Sequence, residues 1–447
     1  MFINLVQLEN IIEKISQVLW GMPIIVFIIG ISIIASFAFN FSQIRYFFIG
    51  WRLLFEKKEK VSNLKTDSIS SMQAFINALS SSLGNGGLAG MAVVLVDGGP
   101  GTVFWVFILG FFSMILRFFE VYAGIKLAKN NLIGPLGYIS NLPFGKLFTY
   151  FYAFVLLIYI LFGGMSMQTN SIGLSLQKSF GFSPIAIGIG FGLLILYIIV
   201  GGSKRIMKAS EYIIPIKVAL FFAVIIALLY FHRASIIPAF HLVMDNAFTT
   251  EAMGKGAICF TMQKAIAVGF SKALNATEAG VGTASIFFGS TETKEPLKTA
   301  IMSMITAFIS TNLVCAMLIF SIIASGVPTE GLTSTGLIIA AFTTLLGNWA
   351  GPAITFLSFS FGIGVMVAYT FLGYKVWDFL FGKKTIIIYY GLLIFLAFFG
   401  AIASVGLIWK SMDMLVGILI ILNLLGLLWN IKTLRTEFKK DESKLSV

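Results

Sequence analysis

The chain has 447 residues, of which 58% are apolar and only 11% are charged, and its net charge is +12. Soluble globular domains carry about a quarter charged residues, and the mean hydropathy here is +0.95, so the composition predicts an integral membrane protein. The positive charge lies in short segments between apolar stretches, which argues against nucleic acid as a partner. Cys259 and Cys315 lie in apolar runs without CxxC spacing, so the sequence supports neither a disulfide framework nor a metal site.

Apolar stretches long enough to cross a bilayer as α-helices follow one another along the chain. Glu9 and Glu13 precede the first of them, where a signal peptide would carry basic residues, so we expect an uncleaved span. The predicted fold class is an all-α integral membrane protein, with one transmembrane domain over residues 1–447. We predict about eleven transmembrane helices, near residues 19–42, 70–96, 101–128, 147–175, 184–201, 210–231, 257–289, 298–325, 352–381, 385–407 and 411–431.

Lysine and arginine concentrate in every second polar segment. One side of the predicted membrane carries most of them, whereas the other side carries only Lys14, Lys178, Arg233, Lys255 and Lys410. By the positive-inside rule, this asymmetry predicts a multi-pass protein of the cytoplasmic membrane with its N-terminus outside and its C-terminus in the cytoplasm. We expect the charged tail, residues 432–447, to be a solvated cytoplasmic end, and solvation is also the expectation for Asp413 near a span end.

Two predicted spans contain glycines and short polar side chains where a lipid-facing helix would carry leucine or isoleucine. They are residues 80–90 (Ser-Ser-Ser-Leu-Gly-Asn-Gly-Gly-Leu-Ala-Gly) and residues 275–283 (Asn-Ala-Thr-Glu-Ala-Gly-Val-Gly-Thr). Unwound backbone at membrane depth is tolerated only where it is buried in protein or lines a cavity. Interrupted helices at matching positions of two halves indicate the binding site of a transporter.

The span arithmetic predicts an inverted repeat. If residues 19–66 form an extra leading helix and its cytoplasmic loop, the remaining spans divide into two sets of five, at 67–231 and 257–431. A broken helix then opens each set. An odd number of spans in each repeat makes the two halves opposite in orientation.

The motifs within these spans resemble those of the alanine or glycine:cation symporters, also called sodium:alanine symporters. The matching segments occur in the order 84–90, 98–105 (Gly-Gly-Pro-Gly-Thr-Val-Phe-Trp), 117–120, 168–172, 201–206, 278–282 and 359–360. The resemblance covers residues 20–430. It implies a LeuT-type 5+5 inverted-repeat fold with one extra N-terminal helix, and a secondary active transporter rather than an enzyme. It further implies import of a small neutral amino acid such as alanine, glycine or serine, with a coupling cation and no cofactor.

The chemistry of the breaks predicts the binding residues. A helix that restarts after a break presents free N–H groups and the positive end of its dipole to a carboxylate, while freed carbonyls suit an ammonium group or a small cation. The resemblance places Gln168 on the helix facing the substrate. The predicted substrate-binding residues are Gly84, Asn85, Gly86, Gly87, Gln168, Thr277, Glu278, Ala279 and Gly280. Glu278 is either a proton carrier or a brace of the unwound loop.

Departures from the family pattern concern the cation. The usual Phe-Ser-Thr of a later span reads Phe359-Ser360-Phe361, which removes a hydroxyl suited to sodium, and Lys217 stands where the family has an apolar residue. In some proton-coupled or sodium-independent transporters of this fold, a lysine on the corresponding helix takes the space of the second sodium ion. The predicted cation or coupling residues are Ser82, Leu83, Lys217, Ser360 and Phe361.

Other interpretations stay open at this point. Lys217 could instead extend to the cytoplasmic surface, and Arg117 with Glu120, on one helix face, is expected to form a structural ion pair. The altered breaks also permit a transporter of another small solute, or a receptor that binds without transport. A channel would need a ring of like groups, and an enzyme a nucleophile with its base, and the sequence shows neither.

Overall fold

The computed structural model describes residues 5–56, 70–129, 132–200, 202–248, 262–291, 293, 295–332 and 334–445. Within these residues the secondary structure is helical, and no β-strand occurs. Cys259, Lys255, residues 57–66 of the predicted cytoplasmic loop and the start of the seventh predicted span lie outside the described residues, as do the side chains of residues 202–215.

The N-terminal region forms a bent helical pair followed by two short helices. Helix α1 (Leu5–Leu19) and helix α2 (Met22–Ala38) meet at an angle of 44°, and Pro23 stands in the first turn of α2, where its missing N–H costs no hydrogen bond. Helices α3 (Ser42–Arg45) and α4 (Phe47–Phe55) follow.

The first set of long helices begins with the broken pair α5 and α6, separated by Leu83 and Gly84. Helices α9 and α10 are joined by a π-helical segment, Phe162–Ser166. The helices of this set are α5 (Ser71–Ser82), α6 (Asn85–Gly98), α7 (Thr102–Lys126), α8 (Pro135–Ile139), α9 (Gly145–Leu161), α10 (Met167–Phe180), α11 (Pro184–Val200) and α12 (Gly202–Phe231).

The second set also begins with a broken pair, after a short connecting helix α13 (Ile236–Phe248). A second π-helical segment, Phe308–Ala316, joins α16 to α17. The remaining helices are α14 (Met262–Thr277), α15 (Thr283–Gly289), α16 (Pro296–Ala307), α17 (Met317–Ala324), α18 (Ser334–Leu346), α19 (Ala350–Phe381), α20 (Ile386–Ile402), α21 (Val405–Trp429) and α22 (Ile431–Glu442).

By length and hydropathy, 7 helices of the described chain can each cross a membrane, or up to 9 if each bent pair is one span. The prediction of about eleven spans counts two further segments. One is Pro184–Val200, an apolar helix of 17 residues, which falls just short of the length required. The other is α14 with α15, whose break divides the segment into two pieces that are each too short.

Burial places the broken helices at the centre of the bundle. In the most apolar part of Ser71–Gly98, 89% of the residues are buried, against 33% in the span that ends with α20. Helix α11 packs mainly against α20, and both expose large apolar side chains such as Leu193 and Phe395, as expected of helices that face lipid. The polar, glycine-rich segments are therefore protected from lipid by the rest of the bundle.

The C-terminal tail differs from the predicted solvated end. Residues Ile431–Glu442 form α22, whose Leu434 and Phe438 are fully buried. The ring of Phe438 lies 5.4 Å from that of Phe39, and Lys126 of α7 pairs with Asp441 at 2.8 Å. Since Leu434 and Phe438 are four residues apart, they form one apolar face on an otherwise charged helix, which docks on α2 and α7.

Candidate functional site

The first helix break leaves backbone donors free in the protein interior. Helix α5 ends at Ser82 and α6 begins at Asn85, with Gly84 extended at φ −107°. In the described part of the chain, no protein group accepts a hydrogen bond from the backbone N–H of Gly84 or Gly86. A Cβ atom on Gly84 would lie 2.5 Å from Cγ2 of Val365, so only glycine allows this close approach. The start of α6 is thus equipped to bind an anionic group.

Asn85 fixes the position of the break relative to two other helices. Its backbone N–H donates to Oε1 of Gln168 at 3.0 Å, and its side-chain amide donates to the same oxygen at 3.2 Å and to the carbonyl of Ser358 at 3.1 Å. The Ser358 hydroxyl donates back to Oδ1 of Asn85 at 2.6 Å. Asn85 is fully buried, and these bonds join α6 to α10 and α19.

The π-helical segment of the α9–α10 span supplies the anchor of Gln168. Its amide nitrogen donates to the carbonyl of Gly163 at 2.9 Å. A π-helical turn leaves carbonyls without their usual helical partner, and Gly163 lies within such a turn. Gln168 therefore has a fixed orientation, with its oxygen committed to Asn85.

The second break is a five-residue unwound segment between α14 and α15. Glu278 adopts φ +57°, and Gly280 and Gly282 have φ +79° and +99°. Side chains satisfy the carbonyls that the break frees. Arg117 donates to the carbonyl of Thr277 at 2.6 Å, Asn423 to that of Gly280 at 2.8 Å and Tyr152 to that of Val281 at 2.5 Å. These carbonyls are thus occupied by protein donors rather than open to a cation.

Glu278 is a non-glycine residue in the left-handed region, and it is only 2% exposed. Such a backbone is uncommon and marks a position that the surrounding structure determines. Its carboxylate accepts hydrogen bonds from Tyr369, from Thr283 at 2.7 Å and from Tyr159 at 3.4 Å. The carboxylate therefore faces a group of hydroxyl donors beside the start of α6.

A small cavity lies between the two breaks, with a volume of about 10 Å³, roughly the space that one water molecule needs. Its lining includes Gly84, Gly86, Gln168 and Glu278 among the predicted substrate-binding residues. The other predicted residues, Asn85, Gly87, Thr277, Ala279 and Gly280, are buried nearby but do not line it. Ser81, Asn275 and Ala276, which belong to the two predicted breaks but are not among the predicted binding residues, also line it. The lining residues that the sequence did not indicate are Tyr159, Gly163, Met167, Val365, Tyr369 and Met412.

Lys217 points into the protein rather than toward the surface. It is 1% exposed, and its ammonium lies 3.1 Å from the carbonyl oxygen of Leu83 and 3.4 Å from the hydroxyl of Ser80. The ring of Phe361 lies 5.1 Å from the same nitrogen, within cation–π range. The alternative in which Lys217 extends to the cytoplasmic surface is therefore wrong.

Of the five predicted cation or coupling residues, three converge and two do not. Lys217 meets Leu83 and Phe361 at the end of α5. The Ser82 hydroxyl instead contacts the carbonyl of Thr277 at 3.0 Å, and Ser360 is half-buried on α19 without a contact to Lys217 among the described residues.

Arg117 and Glu120 form the predicted ion pair, at 3.0 Å, with both side chains fully buried. Arg117 does more than pair with Glu120, because it also donates to the carbonyl of Thr277 in the second break. A buried arginine with a carboxylate and a carbonyl as partners holds α7 against the end of α14. The pair therefore supports the geometry of the break.

A second buried ion pair joins two helices that the sequence pattern does not connect. Lys272 of α14 pairs with Asp413 of α21, and these side chains are 11% and 8% exposed. Asp413 also accepts from Asn275 at 3.1 Å, and Asn275 lines the cavity. The expectation that Asp413 is solvated near a span end is thus wrong, because its carboxylate is buried against Lys272 and Asn275 of α14.

The sequence model of the sodium:alanine symporter family matches residues 5–445. This chain belongs to the sodium:alanine symporter family. It is similar to the sodium/alanine symporter AgcS of Methanococcus maripaludis, with 30% identity over 94% of this chain and 94% of that protein. It is also similar to the uncharacterized transporter YflA of Bacillus subtilis, with 29% identity over 96% and 93%. The probable sodium/glutamine symporter GlnT of the same organism is 27% identical over 97% and 90%.

Structural comparison confirms the predicted LeuT-type fold of this symporter family member. A crystal structure of a manganese transporter from Eremococcus coleocola matches 85% of this chain and 81% of that chain, with a TM-score of 0.52 and 13% identity. At this identity the likeness concerns the fold alone. Membership of the family establishes a multi-pass secondary transporter of amino acids, and not an enzyme.

Proposed function

We propose that the protein imports a small neutral amino acid across the cytoplasmic membrane by alternating access. The observation that carries this proposal is the polarity of the cavity. Its lining combines the free N–H groups of Gly84 and Gly86, at the positive end of the α6 dipole, with the Glu278 carboxylate. A zwitterion would direct its carboxylate to the N–H groups and its ammonium to Glu278.

The small size of the cavity favours alanine, glycine or serine. Its walls contain Gly84, Gly86, Gly163 and Ala276, and its volume of about 10 Å³ requires side chains to move before any amino acid enters. The relative from Methanococcus maripaludis is named for alanine, which agrees with a small ligand. The Bacillus subtilis relative named for glutamine makes a larger neutral amino acid the second candidate.

We further propose that Lys217 takes the place of one coupling sodium ion and that transport is coupled to protons. A sodium ion and an ammonium group both bind to oxygen atoms that carry a partial negative charge. The Lys217 ammonium binds two of them, the carbonyl oxygen of Leu83 and the hydroxyl of Ser80. In the described part of the chain, no carboxylate pairs with this ammonium. Burial without a counter-ion disfavours the charged form, so the amine is suited to release and recover a proton during transport.

Uptake of labelled alanine and glycine into proteoliposomes tests both parts. A sodium gradient, a proton gradient or neither would be imposed on the wild type, on Lys217→Ala and on Lys178→Ala, which removes an exposed lysine. We expect proton-driven uptake without sodium in the wild type and the Lys178 variant, and loss of proton sensitivity in Lys217→Ala.

Three results would contradict these proposals in different ways. A wild-type requirement for sodium would overturn proton coupling and leave amino-acid import intact, in agreement with the relatives named as sodium symporters. Full proton sensitivity in Lys217→Ala would remove Lys217 from the mechanism. Uptake of neither amino acid under any gradient would overturn the proposed substrates.

A further inference from the structure

Three glycines of the cavity wall each face the tip of one apolar side chain. A Cβ atom on Gly84 would lie 2.5 Å from Cγ2 of Val365, and one on Gly86 would lie 3.0 Å from Cε of Met167. The corresponding distance from Gly163 to Cε of Met412 is 2.6 Å. All six residues line the cavity. The apolar tips thus occupy the space that the missing side chains leave, and they help to keep the cavity closed.

The three tips differ in how easily they can withdraw. Valine is branched at Cβ and has one strongly preferred rotamer in a helix, so Val365 is a fixed wall. Methionine is unbranched, with three rotatable bonds, and adapts to the shape of its surroundings. Met167 and Met412 can therefore leave their glycines without a shift of the backbone, and the cavity can expand where they stand.

Of the two methionines, Met412 packs against a glycine that offers no free carbonyl. Met167 packs on Gly86, next to the N–H groups assigned to the carboxylate. Met412 contacts Gly163, whose carbonyl is already occupied by Gln168, and the ring of Tyr369 lies beside the same glycine. The wall at Met412 is therefore apolar and flexible, without a backbone group that would bind the carboxylate or the ammonium.

We propose that Met412, seated against Gly163, is the residue that sets the upper size of the transported side chain. This inference rests on the proposed function, since it assumes that the cavity binds an amino acid. A substrate with a larger side chain has to push the Met412 methyl group out of its contact with Gly163. Shortening Met412 should admit larger side chains, and adding a methyl group at Gly163 should exclude all but the smallest.

Competition against labelled alanine uptake measures the inference directly. Glycine, alanine, serine, leucine and glutamine would compete in the wild type, Met412→Ala, Gly163→Ala and the double variant. We expect leucine and glutamine to compete at least about tenfold more strongly, relative to alanine, in Met412→Ala than in the wild type. The reason is that one or more methylenes in an apolar pocket discriminate between substrates by roughly 10- to 200-fold. Gly163→Ala should shift the substrate preference toward glycine, and the double variant should recover the ability to transport alanine.

Met366→Ala is the matched control. Met366 is a fully buried methionine on α19 that does not line the cavity, so its truncation reports general loosening of the core. We expect its relative preferences to equal those of the wild type. Unchanged preferences in Met412→Ala, with alanine uptake retained, would overturn this inference alone. A wild type that neither binds nor takes up any of these amino acids would overturn the proposed function and the inference together.

Discussion

The hydroxyl of Ser358 donates a 2.6 Å hydrogen bond to Oδ1 of Asn85, and the Asn85 amide donates to the carbonyl of the same serine at 3.1 Å. This reciprocal pair joins α19 to the first residue of α6, directly after the first break. Asn85 is fully buried, and so is Ser358. The two residues therefore hold the start of α6 at a fixed distance from α19.

Ser358→Ala should lower both stability and transport. Removing the hydroxyl leaves Oδ1 of a buried amide without its donor, which costs about 1–3 kcal/mol of unfolding free energy. Because Asn85 also orients the N–H groups at the start of α6, we expect amino-acid affinity to fall as well. Thermal unfolding in detergent and ligand-binding titration measure the two effects.

Ser303→Ala is the control for the Ser358 variant. Ser303 is fully buried, but among the described residues its hydroxyl bonds only to the carbonyl of Ala300 in its own helix. Loss of this hydroxyl should leave the midpoint of unfolding and the amino-acid affinity nearly unchanged. Equal effects of the two variants would show that the bond between Ser358 and Asn85 has no special role.

The buried pair of Lys272 and Asp413 predicts a strong asymmetry between single and double substitutions. Asp413→Asn leaves the Lys272 ammonium buried without its counter-ion, which costs about 3–5 kcal/mol, and it weakens the contact to Asn275 on the cavity wall. The exchanged variant Lys272→Asp with Asp413→Lys restores the pair. We expect it to recover part of the lost stability and uptake.

A second ion pair, more exposed than that of Lys272 and Asp413, serves as the comparison. Glu13 pairs with Lys410 at 2.7 Å, and these side chains are 39% and 32% exposed, so Glu13→Gln should cost less than about 1 kcal/mol. Thermal unfolding of these variants and the wild type tests the prediction. An exchanged variant no more stable than Asp413→Asn would show that packing, and not charge pairing, holds this contact.

The helix breaks can be predicted from sequence because their residues are polar or glycine, whereas the flanking residues of the same spans are apolar. Glycine, asparagine and glutamate within apolar spans are costly in lipid, so Gly84, Glu278 and Gly280 by themselves indicate a buried, unwound site. The same reasoning identifies Lys217, because a lysine in a span needs either a partner or a route to water. The structure supplies the partners at Leu83 and Ser80.

The residues that the sequence does not indicate are ordinary in composition and special only in position. Ser358 and Ser360 are both serines on α19, and only the rotation of the helix directs Ser358 at Asn85. Met412 is one apolar residue within an apolar span, and Gly163 is one glycine among many. The charges of α22 predict a solvated tail because they dominate its composition, although Phe438 on its apolar face is fully buried.

Glu278 allows the last prediction, which separates substrate binding from loop bracing. Its carboxylate lines the cavity and accepts bonds from Tyr369, Thr283 and Tyr159. If the substrate ammonium binds this carboxylate, Glu278→Gln removes a charge-assisted hydrogen bond worth about 1.5–3 kcal/mol, or roughly 10- to 150-fold in affinity. Isothermal titration of alanine measures this loss.

Asp441→Asn is the control, because Asp441 is a mostly buried carboxylate, bonded to Tyr122 and Lys126, that does not line the cavity. It removes a charge between α7 and α22 rather than at a helix break, so we expect reduced stability and nearly unchanged affinity. Analogues of alanine that lack the ammonium, such as lactate, should bind the wild type and Glu278→Gln equally weakly. Unchanged alanine affinity in Glu278→Gln, together with lower stability, would assign Glu278 to bracing the unwound segment.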